Sequence, residues 1–303
     1  MITSDSNQKL ISARRKCYIA LLLLGTLIGC AFYYYEKNYL SVVIDILGIK
    51  FHPNFLLYIA SLFILGSIIQ KYYEKVFKGA VVSTFLNDTL GKTVYKPSDK
   101  LHVDTLRNSG LFQYFNSDWG SDWFQTKYGK ATLTAANCQL KSIESRGDKG
   151  VRVRNIFSGA VVNLKLSKGF GTKLLVIERH WGSDFFEILT TQSIGGTALE
   201  RVKVIAPDFN RAFRVWSDDQ ITSRKILNPA FMEKMTKLAK ETPFTLSINN
   251  NDILIAIEQE MKFTPRLFLF PLREEKARFE HLSRSLNLIL SVLNTLQLED
   301  KVK

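Results

Sequence analysis

The sequence predicts an α+β protein: an N-terminal two-helix transmembrane hairpin, then a mixed α+β cytoplasmic domain with a long C-terminal helix. Three observations predict it. Two long apolar runs open the chain, alternating segments separated by turn residues fill the middle, and a heptad-like pattern closes it. The 303 residues are 46% hydrophobic and 23% charged, which excludes a disordered chain. Only three cysteines are present, which excludes a small disulfide-stapled module.

Residues 17–35 contain no charge and read CYIALLLLGTLIGCAFYYY. A second charge-free run spans 51–70. Crossing a hydrocarbon layer takes about 20 apolar residues in a helix, so spans are expected at about 17–35 and 53–70. The alternative is a pair of buried helices in a soluble protein, but LLLLGTLIG has no polar face. Tyr33, Tyr34 and Tyr35 suit the headgroup level. Lys9, Arg14, Arg15 and Lys16 precede the first span, and Lys71, Lys75 and Lys78 follow the second. The connector carries only Lys37 and Lys50, so the positive-inside rule places both termini in the cytoplasm. Residues 40–49 are apolar but too short to span, and are expected at the outer interface or packed on the spans.

Leu27-Ile28-Gly29-Cys30 resembles a lipoprotein cleavage box, but the apolar run continues past Cys30, which favours an uncleaved span. Gly25 and Gly29 stand four apart and permit close helix approach, read as packing the two spans together rather than making a dimer. The chain divides on this reading into an anchor at 1–75 and a cytoplasmic domain at 76–303. Residues 70–303 hold 35 basic and 25 acidic side chains, a net of +10 within a total of +13. Such a domain is drawn toward an anionic leaflet.

Residues 71–90 continue the second span as a helix, with Glu74 and Lys78 at i, i+4 and Gly91 as its stop. Residues 99–108 form a short helix capped by Ser98. Residues 122–128 and 130–143 alternate around Gly129 as a hairpin, and the Ser-Asp-Trp echo around Gly120 reads as a turn. Val151, Val153 and Phe157 alternate with Arg152 and Arg154 as a half-buried strand, and 174–179 is another. Ser217 or Asp218 caps a helix to Leu227, and Pro229 opens a second to about Lys240. Residues 245–248 and 253–257 flank Asn249-Asn250-Asn251-Asp252 as a hairpin. In the final helix, expected over 272–298, Phe279, Leu282, Leu286, Ile289, Leu293 and Leu296 recur at coiled-coil spacing. Leu288, Leu290 and Val292 form a second stripe. One face packs on the domain and the other meets a partner, or both make one wide core face.

Chemistry-bearing motifs are scarce. Gly91-Lys92-Thr93 lacks the earlier glycine of a phosphate loop. Gly169-x-Gly171 lacks the third glycine of a dinucleotide fingerprint. Lys168-Gly169-Phe170-Gly171 matches half of an RNA-recognition strand, but Thr172 and Lys173 follow where an aromatic and an aliphatic residue belong. His52, His102, His180 and His281 are too scattered for a metal, and Cys138 reads as a small buried hydrophobe. Asp118 with Asp122 suits turn chemistry, and Asp218 with Asp219 suits capping. No catalytic residue, cofactor or metal is expected, and nucleic acid is not an expected partner.

Phe209-x-x-x-Phe213-x-Val215-x-Ser217-x-Asp219-Gln220 leads into Ser223-Arg224-x-Ile226-Leu227-x-Pro229-x-Phe231-Met232. Upstream stands Arg154-x-x-Phe157-x-Gly159. These segments resemble the signature of a bacterial membrane-anchored family, domain-of-unknown-function family thirty-one thirty-seven. The resemblance covers about 60–260 and is strongest near 200–232; Ser223 departs from an expected alanine. It implies membrane anchoring and no known reaction, and it supplies no catalytic residues. Phe157, Gly159, Phe213, Asp219, Leu227, Pro229 and Phe231 read as structural, and Arg224 can reach a carboxylate inside or outside the fold.

The expected function is protein–protein interaction or scaffolding by an integral protein of the bacterial inner membrane, its partner protein and oligomeric state left open. One alternative is a membrane-proximal enzyme whose site is assembled from distant residues. The other is anionic lipid or nucleic-acid binding through a basic strand face of Arg152, Arg154, Lys165, Lys168 and Lys173, with Arg224 as a further basic candidate.

Overall fold

The computed structural model describes residues 4–39, 44–46, 49–51, 53–112, 114–145, 150–179, 192–194, 196–261, 263–265, 267–269, 282–284, 286–287, 289–291 and 293–294. The chain divides into two compact units, residues 1–85 with 263–279 and residues 86–262 with 280–303.

The first unit is built on α1 (Ser4–Tyr39) and α2 (Pro53–Phe77), which pack as an antiparallel pair. Between them lies a small hairpin of β1 (Ile44–Ile46) and β2 (Ile49–Phe51). The two glycines face α2: a Cβ on Gly25 would meet Leu62 at 3.6 Å, and one on Gly29 would meet Tyr58 at 3.4 Å. Small residues at i, i+4 thus seat one helix on the other within the hairpin. Two helical stretches are long and apolar enough to cross a membrane, Gln8–Tyr35 within α1 and Leu56–Leu90, which begins in α2 and runs beyond it.

Their charged ends are differently made. Arg14 Nε donates to Phe268 O at 2.8 Å, Tyr18 OH donates to Leu269 O at 3.0 Å, and Phe268 N donates to Gln70 Oε1 at 3.0 Å. The Phe268 ring lies between Tyr18 and Tyr73, at centroid distances of 5.7 and 6.4 Å. A distant stretch of chain is therefore pinned to the foot of the helix pair. After α2 comes a π turn (Lys78–Val82), which runs into α3 (Ser83–Leu90). Lys78 and Glu74 pair at 3.1 Å, and Gly91 ends the helix at φ +79°, a left-handed stop that favours glycine.

The second unit carries an antiparallel sheet of ten strands in the order β3-β4-β5-β6-β12-β11-β7-β10-β9-β8. The strands are β3 (Thr93–Lys96), β4 (Ser117–Tyr128), β5 (Ala131–Ser145), β6 (Val151–Lys165), β7 (Lys173–Glu178), β8 (Gln192–Ile194), β9 (Thr197–Arg201), β10 (Phe213–Ser217), β11 (Phe244–Asn249) and β12 (Asp252–Ile257). Short helix α4 (Val103–Asn108) and the residues after it supply Leu106, Leu111 and Phe112 to a core that includes Leu140, Phe157, Leu175, Trp216 and Leu254. On the opposite parity, Phe213 meets Phe244 and Phe209 of α5 (Pro207–Ala212), which packs against α7 (Pro229–Glu241). Helices on both faces explain why β7 and β12 are buried almost without alternation. The β11–β12 turn bears out its asparagines: Asn250 takes φ +55°, a conformation this residue tolerates.

Four expectations change. The helix predicted at 99–108 begins at Val103, with exposed His102 as its cap rather than Ser98, because Asp99 N closes a turn onto Lys96 O. The echo around Gly120 is strand β4 with a bulge between Ser121 and Phe124, not a turn. A Cβ at Gly120 would come within 2.5 Å of Lys100 Cβ, so the glycine serves close approach. The strand at Val151 and Val153 is exposed rather than half-buried. The long C-terminal helix is not seen: helical residues are described within 282–294, while 271–281 and 295–303 lie outside the described residues, with Phe279 and Leu296 among them. Leu282, Leu286, Ile289 and Leu293 are each at most 1% exposed, so these four residues of the stripe are core. Of the second stripe, Leu288 and Val292 lie outside the residues whose side chains are described.

Candidate functional site

The signature segment makes a strand-to-helix corner. β10 ends at Ser217, and α6 (Gln220–Ile226) starts three residues later. Asp219 caps α6: Oδ1 accepts from Ile221 N at 2.8 Å and Thr222 N at 3.1 Å, and Oδ2 accepts from Thr222 Oγ1 at 2.6 Å. Those donors, the Thr222 hydroxyl first, hold its carboxyl below the usual carboxylate range. Neighbouring Asp218 accepts from Thr172 Oγ1 and Lys173 N, so it ties the corner to β7. Ser217 and Ser223 are buried and bonded to each other and to the Lys173 and Asp219 carbonyls. Phe213, Leu227 and Phe231 are core, and Pro229 opens α7 with Asn228 as the cap. Phe157 packs on Phe112 at 5.1 Å. At Gly159 a Cβ would fall 2.0 Å from Ile257 O, so any side chain forces β6 away from β12. The side chains of Ser217, Asp218, Asp219 and Ser223 are all bonded within the fold.

The structure does not gather the predicted basic residues into one patch. Arg152 and Lys165 lie thirteen residues apart on β6, roughly 40 Å at about 3.3 Å per residue. Lys165 stands opposite Asp252, and Lys168 is exposed in the loop that follows. The Lys173 amine is already taken by Ile194 O at 3.2 Å and Thr197 Oγ1 at 2.5 Å. Arg224 is exposed on α6.

Sequence reasoning missed a buried polar network. Asp122, at φ +59° in the β4 bulge, is 2% exposed and accepts from Tyr95 OH at 2.7 Å and Ser121 Oγ at 2.9 Å. Asn137 donates to Met261 O at 2.9 Å and accepts from Met261 N at 2.7 Å, which locks the chain leaving β12. This is bulge anchoring rather than the turn chemistry expected for Asp122. Asp118 instead bonds the Lys100 amine, and Cys138 is buried, which pushes its thiol up to about 12. Burial likewise raises Glu258. Among the described residues no group of three or more His, Cys, Asp or Glu could hold a metal. An open groove of about 450 Å³ between α5 and α7 mixes apolar Phe209 and Met232 with Asp208, Glu233, Lys237 and Lys240.

One surface is left over. β5 and β6 continue past the start of β4 as a two-stranded ribbon, 142–145 against 151–154. Ile143 pairs with Val153, and Val151 follows on the same face; these are 42%, 58% and 65% exposed. The other face carries Arg152 opposite Glu144 and Arg154 opposite Ser142. Asn116 holds the base of the ribbon: its side chain donates to Ile143 O and accepts from Ile143 N, both at 2.8 Å. The ribbon thus holds an apolar face in register with no core duty.

Residues 155–298 match the family model of DUF3137, described as a protein of unknown function. The resemblance read from the signature is thereby borne out over that stretch, which takes in most of β6, the corner and the buried leucine stripe. No curated protein matches the chain. Among solved structures it is similar to the mycobacterial trehalose monomycolate transport factor A, at 11% identity and a TM-score of 0.31, over 67% of this chain and 88% of that one. A likeness at that score implies nothing about ligand or activity.

Proposed function

We propose that this chain is an integral protein of the bacterial inner membrane, held by α1 and α2 as a two-helix transmembrane hairpin with both termini in the cytoplasm. Its basic cytoplasmic domain recruits a protein partner through the β5–β6 ribbon. One observation carries the anchoring: only 6% and 11% of the apolar windows of the two helices are buried. Leu22, Leu23, Leu27, Phe63 and Ile64 are all more than 60% exposed. A soluble protein would bury such residues, whereas a bilayer solvates them. The charge bias around the helices supports the orientation. The ribbon supports recruitment because its apolar face has no cover among the described residues.

The test uses the full chain in bacterial membranes. It should resist carbonate extraction, and tags at both termini should be cleaved by protease only in inverted vesicles. Release by carbonate would overturn the anchoring. A photo-crosslinker at Val153 should give a discrete protein adduct, abolished by Ile143→Asp and absent with the crosslinker at Lys225. No adduct at Val153, or equal adducts at both positions, would overturn recruitment by the ribbon.

A further inference from the structure

The two edges of the β5–β6 ribbon are finished differently. On the β5 side the Asn116 side chain takes both main-chain groups of Ile143, donating to its C=O and accepting from its N–H. A side-chain amide thus closes that edge as a paired strand would. The same two bonds fix the parity of the ladder. Groups of Ile143 that face Asn116 do not face β6, so Ile143 and Val153 are a pair that exchanges no ladder bonds. The N–H and C=O of Val153 therefore point away from β5. The alternation along β6 turns those of Val151 and Asn155 the same way.

That outer edge has no strand beside it among the described residues. β12 runs along β6 only from Ala160 to Lys165, Gln259 O accepts from Ala160 N, and Asn137 then holds Met261. Among the described residues, no main-chain bond meets Val151, Val153 or Asn155 from this side. The open track is about five residues, roughly 17 Å. One of its faces carries Val151 and Val153, the other Arg152 and Arg154. Outward N–H and C=O groups at every second residue are what an extended chain pairs with.

Charge decides which kind of chain. A second copy would pair its own β6 edge about a two-fold axis through Val153, the register that uses 151–155 of both. That register sets Arg152 of each copy opposite Arg154 of the other, and like charges directly across a strand pair are destabilising. A chain with acids at those positions gains instead. Neither guanidinium has to be unpaired for this: Arg152 stands opposite Glu144, and Arg154 has a contact of its own within the protein. Segments 142–145 and 151–154 still hold two arginines against one acid.

We infer that the outer edge of β6, at Val151, Val153 and Asn155, accepts an extended segment of a partner protein as an added strand, with apolar residues beside the valines and acidic residues across from Arg152 and Arg154. The inference rests on the recruitment proposed above and names the partner's conformation and charge.

The test has two arms. The first takes the full chain in detergent with a short capped peptide of alternating valine and glutamate, and reads amide exchange residue by residue. Without peptide, Val151, Val153 and Asn155 should exchange faster than Arg152 and Arg154, whose N–H groups lie in the ladder. With peptide at about ten times its dissociation constant, the three outer amides should slow on the order of tenfold. No slowing up to the peptide's solubility limit would overturn the site. The peptide methylated at every main-chain nitrogen should have no effect, and equal slowing by it would overturn the added strand. Lysine in place of glutamate should weaken binding several-fold, and equal binding would overturn the charge assignment.

The second arm uses the full chain in bacterial membranes with the photo-crosslinker at Ile143. Val153→Pro removes an N–H that serves no bond in the ladder, a change an edge strand tolerates, and it should abolish the adduct. Val153→Thr keeps that N–H and should keep the adduct. An adduct that persists in Val153→Pro overturns the added strand and leaves recruitment standing, whereas no adduct at Val153 in the natural chain overturns recruitment itself. An adduct joining two differently tagged copies of this chain would overturn the acidic segment as the occupant. Should Val153→Pro fail to fold, the methylated peptide tests the same pairing on the natural chain.

Discussion

The two halves of β6 belong to one strand and obey different rules. From Phe157 to Leu164 nearly every side chain is buried on either face; from Val151 to Asn155 the valines lie open. Composition does not explain this, since both halves are valine-rich. Neighbours do: β12 pairs with β6 only from Ala160 to Lys165, and β4 begins opposite Lys141 of β5. The same alternation therefore describes a core strand in one half and a projecting ribbon in the other. A residue's availability for binding depends on what covers it rather than on its type.

That contrast can be broken by mutation. The largest effect is expected at Gly159, where even Ala places a methyl carbon on the Ile257 carbonyl. Gly159→Ala should cost about 3 kcal/mol or more in denaturant unfolding of the full chain in detergent, through forced separation of β6 from β12. A neutral result would mean the two strands are not held in this register. Next comes Asn137, opposite Ala160, whose loss strands the Met261 N–H and C=O. Asn137→Ala should cost about 2 kcal/mol by the same measurement, and it should leave the Val153 crosslink intact.

A smaller effect belongs to the corner. The Asp219 carboxyl is held below its unfolded value, about 3.9, so its charge stabilises the fold above that pH. The contribution is lost as pH falls further, through the depressed folded value. Asp219→Asn should flatten the acid limb of the stability–pH curve, read by thermal melts stepped down from neutral pH. An unchanged limb would show that the cap carries no linkage. The smallest effect is expected in the ribbon: Ile143→Ser with Val153→Ser should move stability by no more than about 0.5 kcal/mol. A loss above about 1 kcal/mol would make the ribbon part of the core and erase the contrast.

Much of the local structure was legible because it is local. Glu74 with Lys78, Gly91, Pro229 and the asparagine turn each act within one helical turn or one hairpin, and all behave as their spacing implies. Of the acids and serine that could cap α6, Asp219 does so rather than Ser217 or Asp218, and the Asp218 carboxylate bonds Thr172 and Lys173 instead. The proposed binding residues were less legible. Lys173 reads as a free cation until β8 and β9 bring Ile194 and Thr197 to its amine. The leucine stripe of the last segment fits a coiled coil or a core equally well, and burial alone decides for core.

By itself the sequence determined the α+β class, the two apolar helices, most strands and their turns, and a signature resembling the family whose model matches residues 155–298. Periodicity and turn chemistry carry those features, and both are written over a few adjacent residues. Only the tertiary structure decided that β6 lies beside β12, that Asp122 and Asn137 are buried, and that Arg152 and Lys165 stand far apart. Those outcomes depend on contacts between residues distant in the chain, and side-chain pattern along one strand or helix does not encode which partner will cover it.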